Sequence, residues 1–166
     1  MKREMSVCGS PPPVTCGLFP ETPVVTLEGI LPAGYLSPGD RIVTRSGGAA
    51  PLRAVVLGPC TLAPVLLRAG ALGAGMPVSD IRLAPDQEVL VRGDIARRFF
   101  GTSEALLPAR RLPGAERLHE TPRLCLLTLH FDRPHVFYAE GVELASGEPI
   151  APRRLPSEAE AAVDAR

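Results

Sequence analysis

The sequence predicts an all-β fold of short antiparallel strands. Proline and glycine account for 19 and 16 of the 166 residues. Because proline removes a backbone donor and glycine adds conformational entropy to the unfolded chain, few segments can form long helices. Short β-branched and aliphatic runs recur at a spacing of roughly ten residues between turn-forming residues. With 45% hydrophobic residues and a net charge of +0, the composition also excludes general disorder.

Each predicted strand is a β-branched or aliphatic run that ends at a glycine, proline or aspartate turn. In the first half of the chain these runs are residues 23–27, 41–45, 52–57 and part of 60–69. In the second half they are residues 81–84, 88–92, 124–132 and 136–139.

The remaining segments are predicted to flank or interrupt this β domain. Residues 93–103 are expected to form an irregular loop packed onto the domain, and residues 109–112 a helical turn. Alternatively, exposed apolar side chains at residues 97–100 form a contact for a partner. Ser157 and Glu160 form a capping-box pattern that predicts a short C-terminal helix. The organisation is therefore a polar lead (1–16), a β domain (17–147) and a tail (148–166).

The composition also excludes several classes of function. A balanced charge argues against general binding to nucleic acid or membrane surfaces. No apolar run reaches the length of a membrane span, and prolines stand where a signal peptide needs an apolar segment. We therefore expect a cytoplasmic protein, with no cofactor and an unspecified protein partner.

The four cysteines show no CxxC spacing, which predicts free thiols: Cys8, Cys16, Cys60 and Cys125. No metal site is predicted. A structural zinc site formed by Cys8, Cys16 and a histidine remains an alternative.

An ordered set of strings resembles one family. They are TPVVTLEG from Thr22, LSPGDRIVTR from Leu36, RAGALGAGMP from Arg68, DIRLAPDQEVLVRG from Asp80, LLPARRL from Leu106 and DRPHVFYAEG from Asp132. Together they resemble the Hint module of Hedgehog and intein autoprocessing proteins, in its bacterial stand-alone branch. The resemblance covers about residues 17–147 and implies a pseudo-symmetric, horseshoe-like fold of antiparallel strands.

The resemblance also implies an intramolecular reaction. A Cys or Ser that begins the module attacks the preceding carbonyl, so that the peptide bond becomes a thioester or ester. A mid-chain His, with a Thr or Ser three positions earlier, helps the amide nitrogen to leave. This general acid is needed because an amine is a poor leaving group until it is protonated.

The residues of this chain depart from the family at the positions of that reaction. The nucleophile position aligns with Gly17, and Cys16 stands one residue early. Because a shift of one residue in an extended segment reverses the side chain, we expect Cys16 to face away from the site, unless a bulge shifts the register. The hydroxyl position falls on Ala84, and the histidine position falls on Gln87, which cannot transfer a proton near pH 7.

A late motif is partly kept. Asp132 matches a family acidic position, while the following histidine is displaced by Pro134 to His135. The inherited site is therefore predicted to comprise Cys16, Gln87, Asp132 and His135.

Two functions follow from these residues. One is a catalytically silent Hint-type domain that acts as a binding or accessory module. The alternative is an active autoprotease that cleaves itself by an N–S acyl shift at Cys16 in a shifted register.

Overall fold

The computed structural model describes residues 14–149. Short β-strands dominate this part of the chain. In chain order they are β1 (Pro23–Thr26), β2 (Gly29–Pro32), β3 (Arg41–Thr44), β4 (Gly48–Pro51), β5 (Ala54–Leu62), β6 (Val65–Leu67), β7 (Ile81–Leu83), β8 (Glu88–Arg92), β9 (Glu104–Pro108), β10 (Glu116–Arg117), β11 (Thr121–His130), β12 (Val136–Ala139) and β13 (Val142–Ala145).

The strands form three antiparallel sheets. The largest has the order β2-β1-β3-β12-β13-β8-β9, with β4 paired to β3. A second sheet has the order β10-β6-β7, and β11 pairs with β5 in a long two-stranded ribbon. The prediction of an antiparallel β fold is confirmed.

The core forms because alternate side chains of the short strands point to one face. In β1 and β12 every second residue is buried. The central side chains are Val24, Ile42, Phe137 and Leu144, each at most 1% exposed. A smaller apolar cluster around Phe19 packs the N-terminal segment onto β5 and β11.

The prediction for residues 93–103 is wrong. They contain an α-helix, α1 (Asp94–Phe100), which begins after Gly93 and ends at Gly101, a left-handed residue with φ of 69°. Gly93 precedes the helix and Gly101 ends it, so both ends of the helix are marked by glycines. Phe99 and Phe100 are 55% and 41% exposed, so this segment does not pack both phenylalanines onto the sheet.

Other local predictions had different outcomes. A 3-10 helix at Ala109–Arg111 confirms the predicted helical turn. The predicted C-terminal helix lies outside the described residues, as does Cys8. Cys16, Cys60 and Cys125 are free thiols.

Within residues 14–149, two features concern membrane and metal binding. No helix in that range is long and apolar enough to cross a bilayer. The same residues contain no group of three or more His, Cys, Asp or Glu side chains placed to hold a metal ion.

Candidate functional site

The N-terminal segment enters the fold through a close contact with β11. Leu18 and Leu127 exchange two backbone hydrogen bonds, each of 2.8 Å. Between this pair and Cys16 lies Gly17, whose φ is +136° and whose hypothetical Cβ would stand 2.8 Å from the Leu127 carbonyl oxygen. Such a distance is shorter than real Cβ atoms show, so only glycine fits this backbone.

The thiol of Cys16 lies against Gln87, contrary to the expectation that it faces away. Its Sγ donates to Oε1 of Gln87 across 3.5 Å. The sequence argument assumed an extended strand with alternating side chains. The positive φ of Gly17 breaks that alternation, so a shift of one residue does not reverse the Cys16 side chain.

Gln87 is buried, with 2% of its surface exposed. Its Nε2 donates to the backbone oxygen of Glu88 at 3.0 Å and to that of Ala145 at 2.9 Å. Both amide hydrogens are therefore engaged, and the amide oxygen accepts the thiol. Ala84, at the predicted hydroxyl position, is fully buried and lies in the apolar cluster around Phe19.

The peptide bond before Cys16 is also held in place. The Thr15 carbonyl accepts a hydrogen bond of 3.1 Å from the backbone N–H of Asp86. The Asp86 carboxylate accepts from Arg110 Nε at 2.8 Å. The hydrogen bond from the Arg110 guanidinium lowers the pKa of Asp86, and a smaller contribution in the same direction comes from a hydrogen bond with Thr15. An anchored carboxylate thus fixes the segment that precedes the thiol.

The surroundings of Cys16 favour the neutral thiol. Burial raises the pKa of Cys16, and the negative charges of Glu88 and Asp86 raise it further. Hydrogen bonds from the backbone N–H groups of Glu88 and Gly17 oppose this shift. Since an unshifted cysteine is already mostly protonated at pH 7, Cys16 is a thiol there.

His135 and Asp132 form a second pair. His135 Nε2 lies 4.0 Å from Asp132 Oδ1 and is a buried atom without a hydrogen-bond partner. On the other side of the ring, Nδ1 lies 3.4 Å from Ser46 Oγ. Burial lowers the pKa of His135, as does the positive charge of Arg133, whereas Asp132 raises it.

The two pairs are linked through consecutive residues at the C-terminal end of β13. Gln87 donates to the Ala145 carbonyl. At the next residue, the Ser146 hydroxyl accepts the His135 backbone N–H at 3.0 Å. The four predicted site residues are therefore brought to one region as two contacting pairs.

Beside His135 the protein has an open cleft of about 510 Å³. Its polar lining includes Arg45, Ser46, Glu88, His135 and Ser146, and neither Cys16 nor Gln87 lines it. Ser46, which lines the cleft beside His135, was not among the site residues predicted from the sequence. Its local sequence, Ser-Gly-Gly after β3, indicates only a turn.

The architecture is that of protein-splicing domains. The structure resembles a variant of the MchDnaB-1 intein at 12% identity, covering 78% of this chain and 99% of that one, with a TM-score of 0.52. It also resembles a splice-inactive variant of the AceL NrdHF class 3 split intein at 11% identity, with 81% and 99% covered and a TM-score of 0.51. The Msm DnaB1 intein splicing domain, solved with zinc, matches at 12% identity, with 79% and 99% covered and a TM-score of 0.51.

Identities this low show a shared fold alone. The family is shown by sequence, because the Hint domain family matches residues 16–149 and thus most of the chain. The chain belongs to the Hint domain family. The match begins at Cys16, one residue before the predicted start of the β domain. No curated protein sequence matches the chain significantly.

Proposed function

We propose that this Hint-type domain has kept the fold of self-processing modules but does not cleave itself, and that it acts as a binding or accessory module. The observation that carries the proposal is the hydrogen bond from Cys16 Sγ to Gln87 Oε1, which is 3.5 Å long. It pairs the candidate nucleophile with a neutral amide.

The first supporting argument concerns the leaving group. Cleavage before Cys16 requires a proton on its backbone nitrogen, because an amide anion does not leave. Gln87 holds its amide protons at any ordinary pH and uses both in hydrogen bonds to carbonyl oxygens. Ala84 has no hydroxyl to assist. The inherited acid position therefore has no proton to transfer.

The second supporting argument concerns the nucleophile. The thiolate is the attacking form of a cysteine, and burial together with Glu88 and Asp86 raises the pKa of Cys16. An amide oxygen facing the sulfur also disfavours a negative charge on it, because both carry electron density. The reaction is therefore disfavoured at two positions independently: the thiol of Cys16 stays protonated, and Gln87 cannot protonate the leaving nitrogen.

The accessory role is supported by an exposed aromatic pair on α1. Phe99 and Phe100 have ring centroids 6.4 Å apart, and the Arg98 guanidinium lies 5.9 Å from the Phe99 ring. Large exposed aromatic side chains beside arginine are enriched in protein contact surfaces. We assign the contact with a partner protein to this helix.

A second candidate function, self-cleavage at Cys16, is favoured by one contact. The N–H of Asp86 donates to the Thr15 carbonyl at 3.1 Å, and a donor in this position stabilises the oxyanion formed by attack on that carbonyl. Sulfur would then bond to the Thr15 carbonyl carbon while the carbon–nitrogen bond breaks. The thiol proton would pass to the released amine.

Intact-mass spectrometry of the freshly purified chain separates the two functions. We expect one species of full mass that persists over days, with or without added dithiothreitol. Cys16→Ala is the matched control and should behave identically. Loss of residues 1–15 in the wild type, accelerated by dithiothreitol and abolished in Cys16→Ala, would establish self-cleavage and overturn the proposal.

A further inference from the structure

A second group of polar side chains lies apart from Cys16. Ser46 Oγ is 3.4 Å from His135 Nδ1, and Asp132 Oδ1 is 4.0 Å from His135 Nε2. Ser46 and His135 both line the cleft of about 510 Å³. From this geometry we propose that the cleft binds and hydrolyses uncharged short-chain carboxylic esters, with Ser46 as the nucleophile, His135 as the base and Asp132 as a positioning residue.

His135 has the surroundings of a base. Its side chain is only 4% exposed, and the ring packs edge-on against Phe131 with centroids 5.2 Å apart. Burial lowers the pKa of His135, so the imidazole is neutral at pH 7. A neutral imidazole accepts a proton at one nitrogen while the other carries hydrogen. In the proposed reaction the acceptor is Nδ1, the nitrogen that lies beside Ser46 Oγ.

Ser46 is placed for access by a substrate. It stands in the turn between β3 and β4, followed by Gly47 and Gly48 with φ values of 132° and 99°. No atom lies within 4 Å of a hypothetical Cβ at either glycine. Ser46 is itself exposed and lines the cleft, so a substrate carbonyl can reach its hydroxyl.

Asp132 completes the arrangement from the far side of the ring. Serine hydrolases share a pattern in which one imidazole nitrogen accepts the serine proton and the other faces a carboxylate. Here Nδ1 takes the first role and Nε2 the second. Nε2 is buried and lacks a hydrogen-bond partner, and Asp132 is the carboxylate that it faces. The 4.0 Å separation is too long for a hydrogen bond, and the proposed role requires this contact to shorten on substrate binding, as catalytic contacts often do.

The lining of the cleft selects the substrate class. Leu106, Pro134 and Val136 supply apolar surface. The Arg45 guanidinium is already paired with Glu104 at 2.8 Å and with Glu143 at 3.6 Å. Its charge is therefore compensated, and the described lining also includes the carboxylates of Glu88 and Glu148, so the cleft disfavours an anionic substrate. A short apolar acyl group with a neutral leaving alcohol fits these properties.

The reaction proceeds in two balanced steps. Ser46 Oγ bonds to the ester carbonyl carbon as its proton moves to His135 Nδ1. The carbon–oxygen bond to the alcohol then breaks, and the alcohol oxygen takes the proton. Water next bonds to the acyl carbon and gives a proton to His135 Nδ1. The bond between that carbon and Ser46 Oγ then breaks, and Oγ takes the proton. Ester and water become acid and alcohol.

The first test measures hydrolysis of p-nitrophenyl butyrate by the full chain. We expect a rate above buffer that falls at least about 100-fold in Ser46→Ala. Ser37→Ala, at an exposed serine in another turn, is the matched control and should keep the wild-type rate. A wild-type rate equal to that of buffer, or full activity in Ser46→Ala, overturns the proposal.

A covalent probe gives a second readout. An alkyl fluorophosphonate should add to one residue, located at Ser46 by peptide mapping, and should not add in His135→Gln. Labelling elsewhere, or undiminished labelling of a folded His135→Gln, contradicts the assignment.

The positioning role of Asp132 has its own test. Asp132→Asn should lower kcat about tenfold and leave KM unchanged, because the carboxylate orients the base without touching the substrate. Asp132→Glu should restore part of kcat. Equal changes in kcat for both variants would contradict the role.

Discussion

The Cys16 thiol donates a hydrogen bond to the amide oxygen of Gln87 across 3.5 Å. The same amide donates through its nitrogen to the carbonyl of Ala145 at the end of β13. One buried glutamine therefore joins the N-terminal segment to the C-terminal end of the sheet. A histidine at this position could transfer a proton, whereas glutamine makes the same kind of structural hydrogen bonds but does not transfer a proton.

Restoring a proton donor at this position should bring back part of the reaction. In Gln87→His combined with Ala84→Ser, we expect dithiothreitol to release residues 1–15, because an imidazolium can protonate the leaving nitrogen. Intact mass over time measures the release. The same double variant carrying Cys16→Ala should remain whole. Release from this triple variant would show that Cys16 is not the nucleophile.

Gly17 should be needed for stability. Gly17→Ala forces a side chain into a backbone with φ of +136° and a Cβ 2.8 Å from the Leu127 oxygen. We expect a loss of about 3 kcal/mol in the free energy of unfolding, measured by urea denaturation. Gly29→Ala is the matched control, because its φ is +120° with open space around the Cβ. That variant should lose only the strain, about 1–2 kcal/mol. Equal losses would show that the contact with Leu127 has no energetic weight.

Cys16 should react slowly with alkylating agents at neutral pH. The pKa of Cys16 is raised above its ordinary value of 9.0, chiefly by burial and then by Glu88. Iodoacetamide modification, followed by peptide mass spectrometry, should be slower in the folded chain than in urea. Glu88→Gln should speed it at a given pH. Faster alkylation in the folded wild type than in urea would contradict the raised pKa.

The same shift predicts a fall in stability at high pH. Because the folded-state pKa of Cys16 lies above the unfolded value, the folded state holds the proton more tightly. This contribution is complete below the unfolded pKa, about 8.5, and is lost as the pH rises through the folded value. The free energy of unfolding should therefore fall more steeply above pH 9 in the wild type than in Cys16→Ala. Parallel curves for the two proteins would exclude this linkage.

The aromatic pair on α1 should contribute little to folding. Phe99 is 55% exposed, whereas Phe137 on β12 is 1% exposed. We expect Phe99→Ser to change the free energy of unfolding by no more than about 0.5 kcal/mol. Phe137→Ala should cost about 3–5 kcal/mol, because it opens a cavity in the core. A large loss in the free energy of unfolding in Phe99→Ser would show that this side chain contributes to the core and would contradict its role in a contact surface.

Much of the fold was predictable because its signals are local. Runs such as Arg41–Thr44 and Val136–Ala139 carry their own β propensity, and the neighbouring prolines and glycines set the turns. Helix α1 was not predictable from its flanking residues, because Gly93 and Gly101, which lie at its two ends, belong to a residue type that is also typical of loops. Local sequence does not separate a glycine that ends a helix from one within a loop.

The candidate site was predictable in its residues but not in its geometry. The sequence alone determined that the family positions carry Gly17, Ala84 and Gln87, since side-chain chemistry is a property of each residue. Only the tertiary structure decided that Cys16 faces Gln87, because the direction of that side chain depends on the φ of Gly17 and on its contact with β11. The approach of Ser46 to His135 was likewise decided by strand pairing, which brings together residues 89 positions apart in the chain.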